Sequence, residues 1–444
     1  MSIQLSDHFT YKKLLRFIFP SIATMIVTSI YTIVDGFFVS NYAGKTPFAA
    51  LNLIYPVIMI MGALGFMFSS GGTALVSYTL GKGNKDKADS YFSLIIYTGI
   101  ITGLILSIIG FIFTPDIAIL LGAGGELLHY AIIYSRIILL GLPFFMLQIM
   151  FQSFFVAAAK PHLGLNITIL SGITNMVLDA IVVPNMPLEY RLHAAAFATI
   201  FAQIVGGLIP LIYFFSKNKS TLKLGKTKFE LRPLIKSCTN GLSEFMTNIS
   251  MSVVGMLYNF QLMKFAGENG IAAYGVMMYV SMIFASAFIG YSMGASPIIS
   301  YHYGAKNYNE LKNLFKKSLI LITIFGVGMT ISAEVLAKPL SLLYVGYDAE
   351  LLKITTDGFY IFGLSFLFMG FGIFTSGFFT ALNDGITSAT VSFLRTFIFQ
   401  VVSVLLLPVY FHLTGVWMSL VSAELLAVFV SAFFLIKYRK KFQY

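Results

Sequence analysis

Two aspartates stand inside long apolar stretches of this 444-residue sequence, where a charged side chain is unexpected. Asp35 and Asp179 each lie four or five residues before the end of a stretch that is long enough to cross a bilayer. An ionised side chain inside a spanning helix costs about 2.5–3.5 kcal/mol on insertion scales, so it marks an ion or substrate path by default. Both aspartates are therefore candidates for chemistry that involves a cation.

Two uncharged polar residues accompany the aspartates. Asn175 lies one turn before Asp179 on the same helix face. Thr199 is six residues into the next apolar stretch, at a depth similar to that of the two aspartates. Two nearby carboxylates in a low dielectric repel each other, so such a pair readily takes up a proton. With the amide and hydroxyl oxygens it also offers ligands for Na+, and we predict no other metal. The four residues are predicted to form one site that couples H+ or Na+.

Further polar side chains lie deep in other apolar stretches. Glu244 and Arg395 have similar predicted depths, which suggests a structural ion pair between them. Glu424 is either a second proton site or a charge that faces the substrate. Gln152 and Gln203 are candidates for the lining of a substrate path, together with Glu244 and Glu424.

Pro20 lies in the same apolar stretch as Asp35, fifteen residues earlier. A proline inside a helix removes one backbone hydrogen bond and bends the helix. The spacing predicts a hinge at Pro20 in the first helix. Protonation of Asp35, fifteen residues above, would then bias the bend at this hinge.

Composition places these residues in a membrane protein. The chain is 57% hydrophobic and 11% charged, whereas a soluble domain carries about 25% charged residues. A helix that crosses a bilayer needs about 20 mostly apolar residues. The predicted fold class is an all-α polytopic membrane protein, with twelve spans at 14–40, 48–79, 91–114, 127–158, 162–183, 193–215, 234–264, 270–301, 313–337, 351–381, 386–410 and 414–437.

The basic residues behind the net charge of +11 are concentrated in the loops on one side of the membrane, which argues against nucleic acid as a partner. Twenty-two of the 29 Lys and Arg residues fall at the termini and in the loops after spans 2, 4, 6 and 8. The positive-inside rule then places both termini in the cytoplasm. We expect a multi-pass protein of the prokaryotic inner membrane that works as a monomer in the lipid bilayer.

No nucleotide or cofactor is predicted. The Gly- and Lys-rich segment 81–87, GKGNKDK, lacks the Ser or Thr that follows Gly-Lys in a phosphate-binding loop. Transport driven by ATP within this chain is therefore not expected, and the coupling ion takes the place of a cofactor.

The sequence also divides into two related halves. A polar segment, 216–233, separates residues 1–215 from residues 234–444, and residues 43–92 match residues 266–315 at 14 of 50 positions. An even number of spans in each half makes the halves parallel repeats, which is typical of secondary transporters. Tyr258 and Ser403 occupy the positions of Asp35 and Asp179 in the second half, so only the first half carries the acids.

An ordered set of motifs resembles the multidrug and toxic compound extrusion (MATE) family over essentially the whole chain. The motifs are IVDGFFVSNYAG at 33–44, SYTLGKGN at 77–84, NMVLDAIVVP at 175–184, AAAFAT at 194–199 and SYHYGAKN at 300–307. The resemblance is to the prokaryotic branch similar to DinF and MepA. In that branch the acids of the first lobe, which match Asp35 and Asp179, are implicated in coupling, and the proline of helix 1 matches Pro20.

The resemblance implies a V-shaped pair of six-helix lobes and a transporter, not an enzyme. It would export small organic cations or amphipathic compounds in exchange for H+ or Na+ by alternating access. In the branch similar to NorM the coupling acids lie in spans 7 and 10, where this chain has Met251 and Met369. The alternatives are a flippase for lipid-linked precursors, a major-facilitator transporter and a membrane scaffold without transport activity.

Overall fold

The computed structural model describes residues 3–444, and every regular element in that range is a helix. Polar backbone groups have no water to bond with in the bilayer interior, so a spanning segment satisfies them internally as a helix. The helices are α1 Tyr11–Phe38, α2 Lys45–Gly81, α3 Lys85–Leu120, α4 Gly125–Ala157, α5 Pro161–Asn185, α6 Arg191–Phe215, α7 Leu231–Gly304, α8 Tyr308–Val345, α9 Ala349–Gly363, α10 Phe366–Ala381, α11 Gly385–Phe393 and α12 Phe399–Phe442.

Two of these helices are too long for a single crossing. α7 contains 74 residues, which at ~1.5 Å per residue would extend about 110 Å, far beyond the ~30 Å hydrocarbon layer. The chain reverses inside α7 at Gly267, whose φ of 59° belongs to the left-handed region. Its repeat equivalent, Gly44, also has a positive φ, 99°, where the chain turns from α1 into α2. α7 therefore supplies spans 7 and 8.

The last spans contain the same kind of break. His412, with a φ of 51°, interrupts α12. Spans 11 and 12 are thus formed by α11, the π-helical turn Leu394–Ile398 and the two parts of α12. α9 and α10 meet at a 48° bend and together make span 10, and α8 is span 9. The described residues thus form the predicted twelve helices in two six-helix lobes.

Both chain termini lie on one face of the bundle, called the terminal face below. The Phe9 backbone N–H donates to Glu310 at the start of α8. The ring of Phe442 packs against Tyr303 near the end of α7, with ring centroids 5.7 Å apart. This shared face agrees with an even number of crossings.

The segment between the lobes lies along the start of α3. Residues 216–230 contain no helix, and α7 begins at Leu231, inside the predicted linker 216–233. The Lys223 backbone N–H donates to Asp89 at 3.0 Å, and the Gly225 carbonyl accepts from Tyr97 at 2.9 Å. The linker is therefore fixed to the N-terminal lobe.

The lobes meet through glycines that the repeat makes reciprocal. Gly81 of α2 lies so close to the Tyr301 backbone that a Cβ there would overlap the carbonyl oxygen. Its repeat equivalent, Gly304, has the same relation to Tyr78. Small residues allow helix backbones to approach closely in a membrane. The duplicated SYxxGxxN motifs therefore join the two lobes near the terminal face.

Helix α1 belongs to both lobes. Leu14, Phe17 and Ile18 from its first half join the apolar cluster of the C-terminal lobe. The second half packs beside α5, where Tyr31 contacts Gly172. Pro20 lies between these two regions and gives α1 a place to bend.

We expect Gly241→Ala to destabilise the junction of the lobes. A Cβ at Gly241 would overlap the Met67 carbonyl group of α2, and overpacking of this kind costs about 1–3 kcal/mol. Thermal unfolding of the purified protein in detergent measures the change.

Gly255→Ala on the same span is the matched control, since no atom lies within 4 Å of its Cβ position. We expect its free energy of unfolding to change by no more than about 1 kcal/mol. Equal melting temperatures for the two variants would contradict the close contact.

Candidate functional site

Three helices bring the predicted site residues together in the N-terminal lobe, in the half remote from the terminal face. Asp35 lies on α1, Asn175 and Asp179 lie on α5, and Thr199 lies on α6. The Thr199 hydroxyl is 3.3 Å from Asp35 Oδ1 and can donate to it, and it is also 3.1 Å from the Ala195 carbonyl. A single hydroxyl thus links α6 to the α1 carboxylate.

The α5 side chains are more deeply buried than Asp35. Asp179 is 0% exposed and Asn175 is 1% exposed. The side chains of Asn175 and Asp179 both lie close enough to the Asp35 carboxylate to interact with it electrostatically. Nevertheless, among the described residues no group is aligned for a full hydrogen bond with the side-chain polar atoms of Asn175 and Asp179. Unsatisfied buried polar atoms are costly, so this cluster is suited to bind a proton or a cation.

Three tyrosines surround the carboxylates and were not identified from the sequence. Tyr31, Tyr55 and Tyr134 interact electrostatically with Asp35, and Tyr134 also does so with Asp179. Tyr31 lies one turn before Asp35 on α1, a spacing that could have revealed it. Tyr55 and Tyr134 come from α2 and α4, so only the packing of the lobe brings them here.

Arg191 ties together the ends of the helices that carry the site. Its guanidinium donates to the carbonyls of Met186 at 3.0 Å, Tyr42 at 2.8 Å and Pro184 at 3.3 Å. These carbonyls lie just after α1 and at the end of α5, where helix termini leave acceptors unpaired. The sequence alone does not single out Arg191, because nothing local indicates partners on another helix.

The C-terminal lobe contains a different arrangement of charges. Arg395 Nε lies 3.1 Å and 2.8 Å from the two carboxylate oxygens of Glu424, which is 1% exposed. Arg395 projects from the π-helical turn Leu394–Ile398 and packs on Gly372, where a Cβ would meet its side chain.

The suggested pairing of Glu244 with Arg395 is therefore wrong. Arg395 is close enough to Glu244 for an electrostatic interaction, but its hydrogen bonds go to Glu424. A carboxylate from span 12 reaches Arg395 across a helix contact that depth along the sequence does not reveal. Within residues 3–444 the Glu244 side chain has no hydrogen bond or ion pair, whereas Glu424 lies in a buried ion pair.

The two glutamines lie within the N-terminal lobe. Gln203 is buried between α6 and α4, where Gly141 leaves room for its Oε1. Gln152 lines a small cleft with Thr168 and Gly206. Pro20 is in α1, and its carbonyl accepts a hydrogen bond from the Thr24 hydroxyl at 2.8 Å.

Comparison with known proteins gives one consistent result. The sequence model of the MatE family matches twice, over residues 20–181 and 245–406. The chain is 28% identical to the multidrug export protein MepA of Staphylococcus haemolyticus over 438 residues, which cover 97% of this chain and 94% of that protein. It is 26% identical to MepA of Staphylococcus aureus strain RF122 over 417 residues, or 93% and 91% of the two chains.

Solved structures share the fold. A structure described as the outward-facing conformation of a multidrug resistance MATE family transporter superimposes with a TM-score of 0.93 at 22% identity, covering 100% of this chain and 98% of that one. The two family matches cover most of the sequence, one in each lobe, and the curated relatives align nearly from end to end. This chain therefore belongs to the MATE family of multidrug efflux transporters and is of the type similar to MepA.

Proposed function

We propose that the protein is a secondary active antiporter that exports organic cations or other amphipathic compounds in exchange for H+ or Na+. The observation that carries the proposal is the cluster of Asp35, Asp179, Asn175 and Thr199, in which no group among the described residues is aligned for a full hydrogen bond with the buried polar atoms of Asn175 and Asp179. The names of the curated relatives, multidrug export proteins, support the substrate class.

The chemistry of the cluster is suited to a monovalent cation. Two carboxylates that repel each other in a low dielectric favour the uptake of one positive charge. A proton would satisfy one carboxylate oxygen, whereas Na+ would gain oxygen ligands from the Asn175 amide and the Thr199 hydroxyl. No group of three His, Cys, Asp or Glu side chains among the described residues is placed to hold a metal ion.

Helix α1 would convert ion binding into movement. Its second half carries Asp35, its first half packs into the C-terminal lobe, and Pro20 lies between them. Proline leaves one carbonyl of the preceding turn without its usual donor, which lowers the cost of a bend there. In the proposed cycle, ion binding at Asp35 and Asp179 changes the bend of α1 and exchanges one access path for the other.

The proposed location is the prokaryotic inner membrane, with the terminal face in the cytoplasm. The excess of Lys and Arg in the loops of that face supports this orientation. In this proposal the protein works as a monomer without nucleotide, and its partners are lipid and small organic substrates.

A flippase for lipid-linked precursors is the alternative function. The full-length matches to multidrug export proteins favour drug export over this alternative.

We expect Asp179→Asn to abolish ion-driven transport. The amide cannot take up the proton or supply the charge that Na+ requires, so the cluster loses its coupling function. Efflux of a fluorescent organic cation from proteoliposomes, driven separately by a pH gradient and by a Na+ gradient, measures the effect and identifies the ion.

Ser403→Ala is the matched control, because Ser403 is the repeat equivalent of Asp179 and is also buried. It should transport at the wild-type rate. Wild-type efflux by Asp179→Asn would exclude this site, and wild-type protein without cation efflux under either gradient would favour the flippase.

We expect Thr199→Ala to raise the concentration of coupling ion at half-maximal transport by about tenfold, the cost of one lost polar contact near a buried charge. Thr199→Ser retains the hydroxyl that faces Asp35 and should remain close to wild type. Titration of the transport rate with the coupling ion provides the comparison, and equal values for both variants would remove Thr199 from the site.

A further inference from the structure

The segment before α1 is buried in the opposite lobe. Phe9 is 0% exposed, and Leu5 is 4% exposed. Both belong to the apolar cluster of the C-terminal lobe, although they precede the first helix of the N-terminal lobe. The Phe9 ring lies 5.9 Å from Phe17 and 6.4 Å from His302 of α7, measured between ring centroids.

Glu310, in the first turn of α8, is the centre of this contact. Its Oε1 accepts from the Phe9 backbone N–H at 2.9 Å, and its Oε2 lies 2.6 Å from His8 Nδ1. Asn313 donates to the same Oε1 at 2.8 Å. Each carboxylate oxygen therefore has a partner in the segment that leads into α1.

The carbonyl of Phe9 is also held by α8. Asn313 Nδ2 donates to it at 3.0 Å, and Lys317 Nζ provides a second donor. Both polar groups of the Phe9 backbone are therefore satisfied by the C-terminal lobe. The start of α1 is fixed to α8 by charge-assisted hydrogen bonds, which are stronger than neutral ones.

The repeat shows that this contact is particular to one lobe. Glu310 is 5% exposed, and its equivalent in the first half is Lys87, which is exposed. A buried carboxylate is stable only with partners, and those of Glu310 come largely from the segment before α1. Helix α1, which this segment leads into, carries Asp35 near its other end. The repeat equivalent of Asp35 in the second half of the chain is Tyr258, so that acid is also found in one half only.

We propose that Glu310 is a positioning residue for transport, which fixes the start of α1 to the C-terminal lobe. The inference rests on the proposed function, since it concerns how a change at Asp35 reaches the other lobe. The Asp35 end of α1 is linked to α6 through Thr199, and the start is linked to α8 through Glu310. Any relative movement of the lobes must therefore be taken up within α1, and Glu310 ensures that the bend occurs in the helix rather than by release of its start.

Distances between spin labels test the anchor directly. Cys238 is the sole cysteine, so a Cys238→Ser background allows pairs of labels to be introduced. One pair is Lys12→Cys with Lys312→Cys on α8. The other pair is Lys12→Cys with Lys85→Cys on the N-terminal lobe. In the otherwise wild-type protein we expect a narrow distribution between positions 12 and 312. In Glu310→Gln, which loses the charge, this distribution should broaden, whereas the matched variant Lys87→Gln should keep it narrow.

Transport separates positioning from a purely structural role. We expect Glu310→Gln to lower the maximal transport rate by about tenfold, as for loss of a charge-assisted contact, with the substrate concentration at half-maximal rate unchanged. Glu310→Asp should restore part of the rate, and Lys87→Gln should retain all of it. If Glu310→Gln does not fold, His8→Ala, which removes one exposed partner, should broaden the distribution in the same direction.

Each result decides the proposal. A narrow distribution between positions 12 and 312 in both Glu310→Gln and His8→Ala would overturn the anchor, as would an unchanged transport rate in Glu310→Gln. Failure of the wild-type protein to transport cations would instead refute the proposed function, since the label distances do not depend on it.

Discussion

The close contact between the lobes near the terminal face is the constraint on which the rest of the structure depends. Gly81 and Gly304 bring α2 and the end of α7 into backbone contact, and Gly241 does the same for the start of α7. In lipid, burial of apolar surface drives helix association only weakly, so close packing of backbones has to supply the contact. Because the contact involves equivalent residues of both repeats, it gives the two lobes a common axis, and the cluster of Asp35 and Asp179 lies remote from it.

The two repeats have kept this contact and have diverged in their buried charges. Among the side chains that the structure describes, Asp35 and Asp179 of the N-terminal lobe have no basic partner, whereas the C-terminal lobe pairs Glu424 with Arg395. In a buried ion pair each charge is neutralised by the other, so the pair has little tendency to take up an ion from solvent. Two carboxylates without a basic partner have the opposite character, because they gain most from an external cation. The asymmetry explains why the proposed coupling site lies in one lobe of a duplicated scaffold.

Helix α1 connects these two features. Its first half is part of the C-terminal lobe, through the Phe9 contacts with Glu310, and its second half is part of the site. Arg191 holds the end of the helix to α5 and α6 by donating to the Tyr42 carbonyl. A helix that is fixed at both ends to different lobes can respond to their movement only by changing its own shape, and Pro20 lies where that change is least costly.

The sequence by itself determined the membrane class, the twelve spans, the duplication and the family. These depend on apolar length, charge distribution and short motifs, each of which is local along the chain. It also placed Asp35, Asp179 and Thr199 at a similar depth and Asn175 one turn deeper, because rise per residue converts position in a helix into depth. Only the tertiary structure decided which helices are neighbours. Depth does not specify rotation about a helix axis, so the sequence paired Arg395 with Glu244 where the fold pairs it with Glu424, and it gave no sign of Tyr55, Tyr134, Arg191 or Glu310.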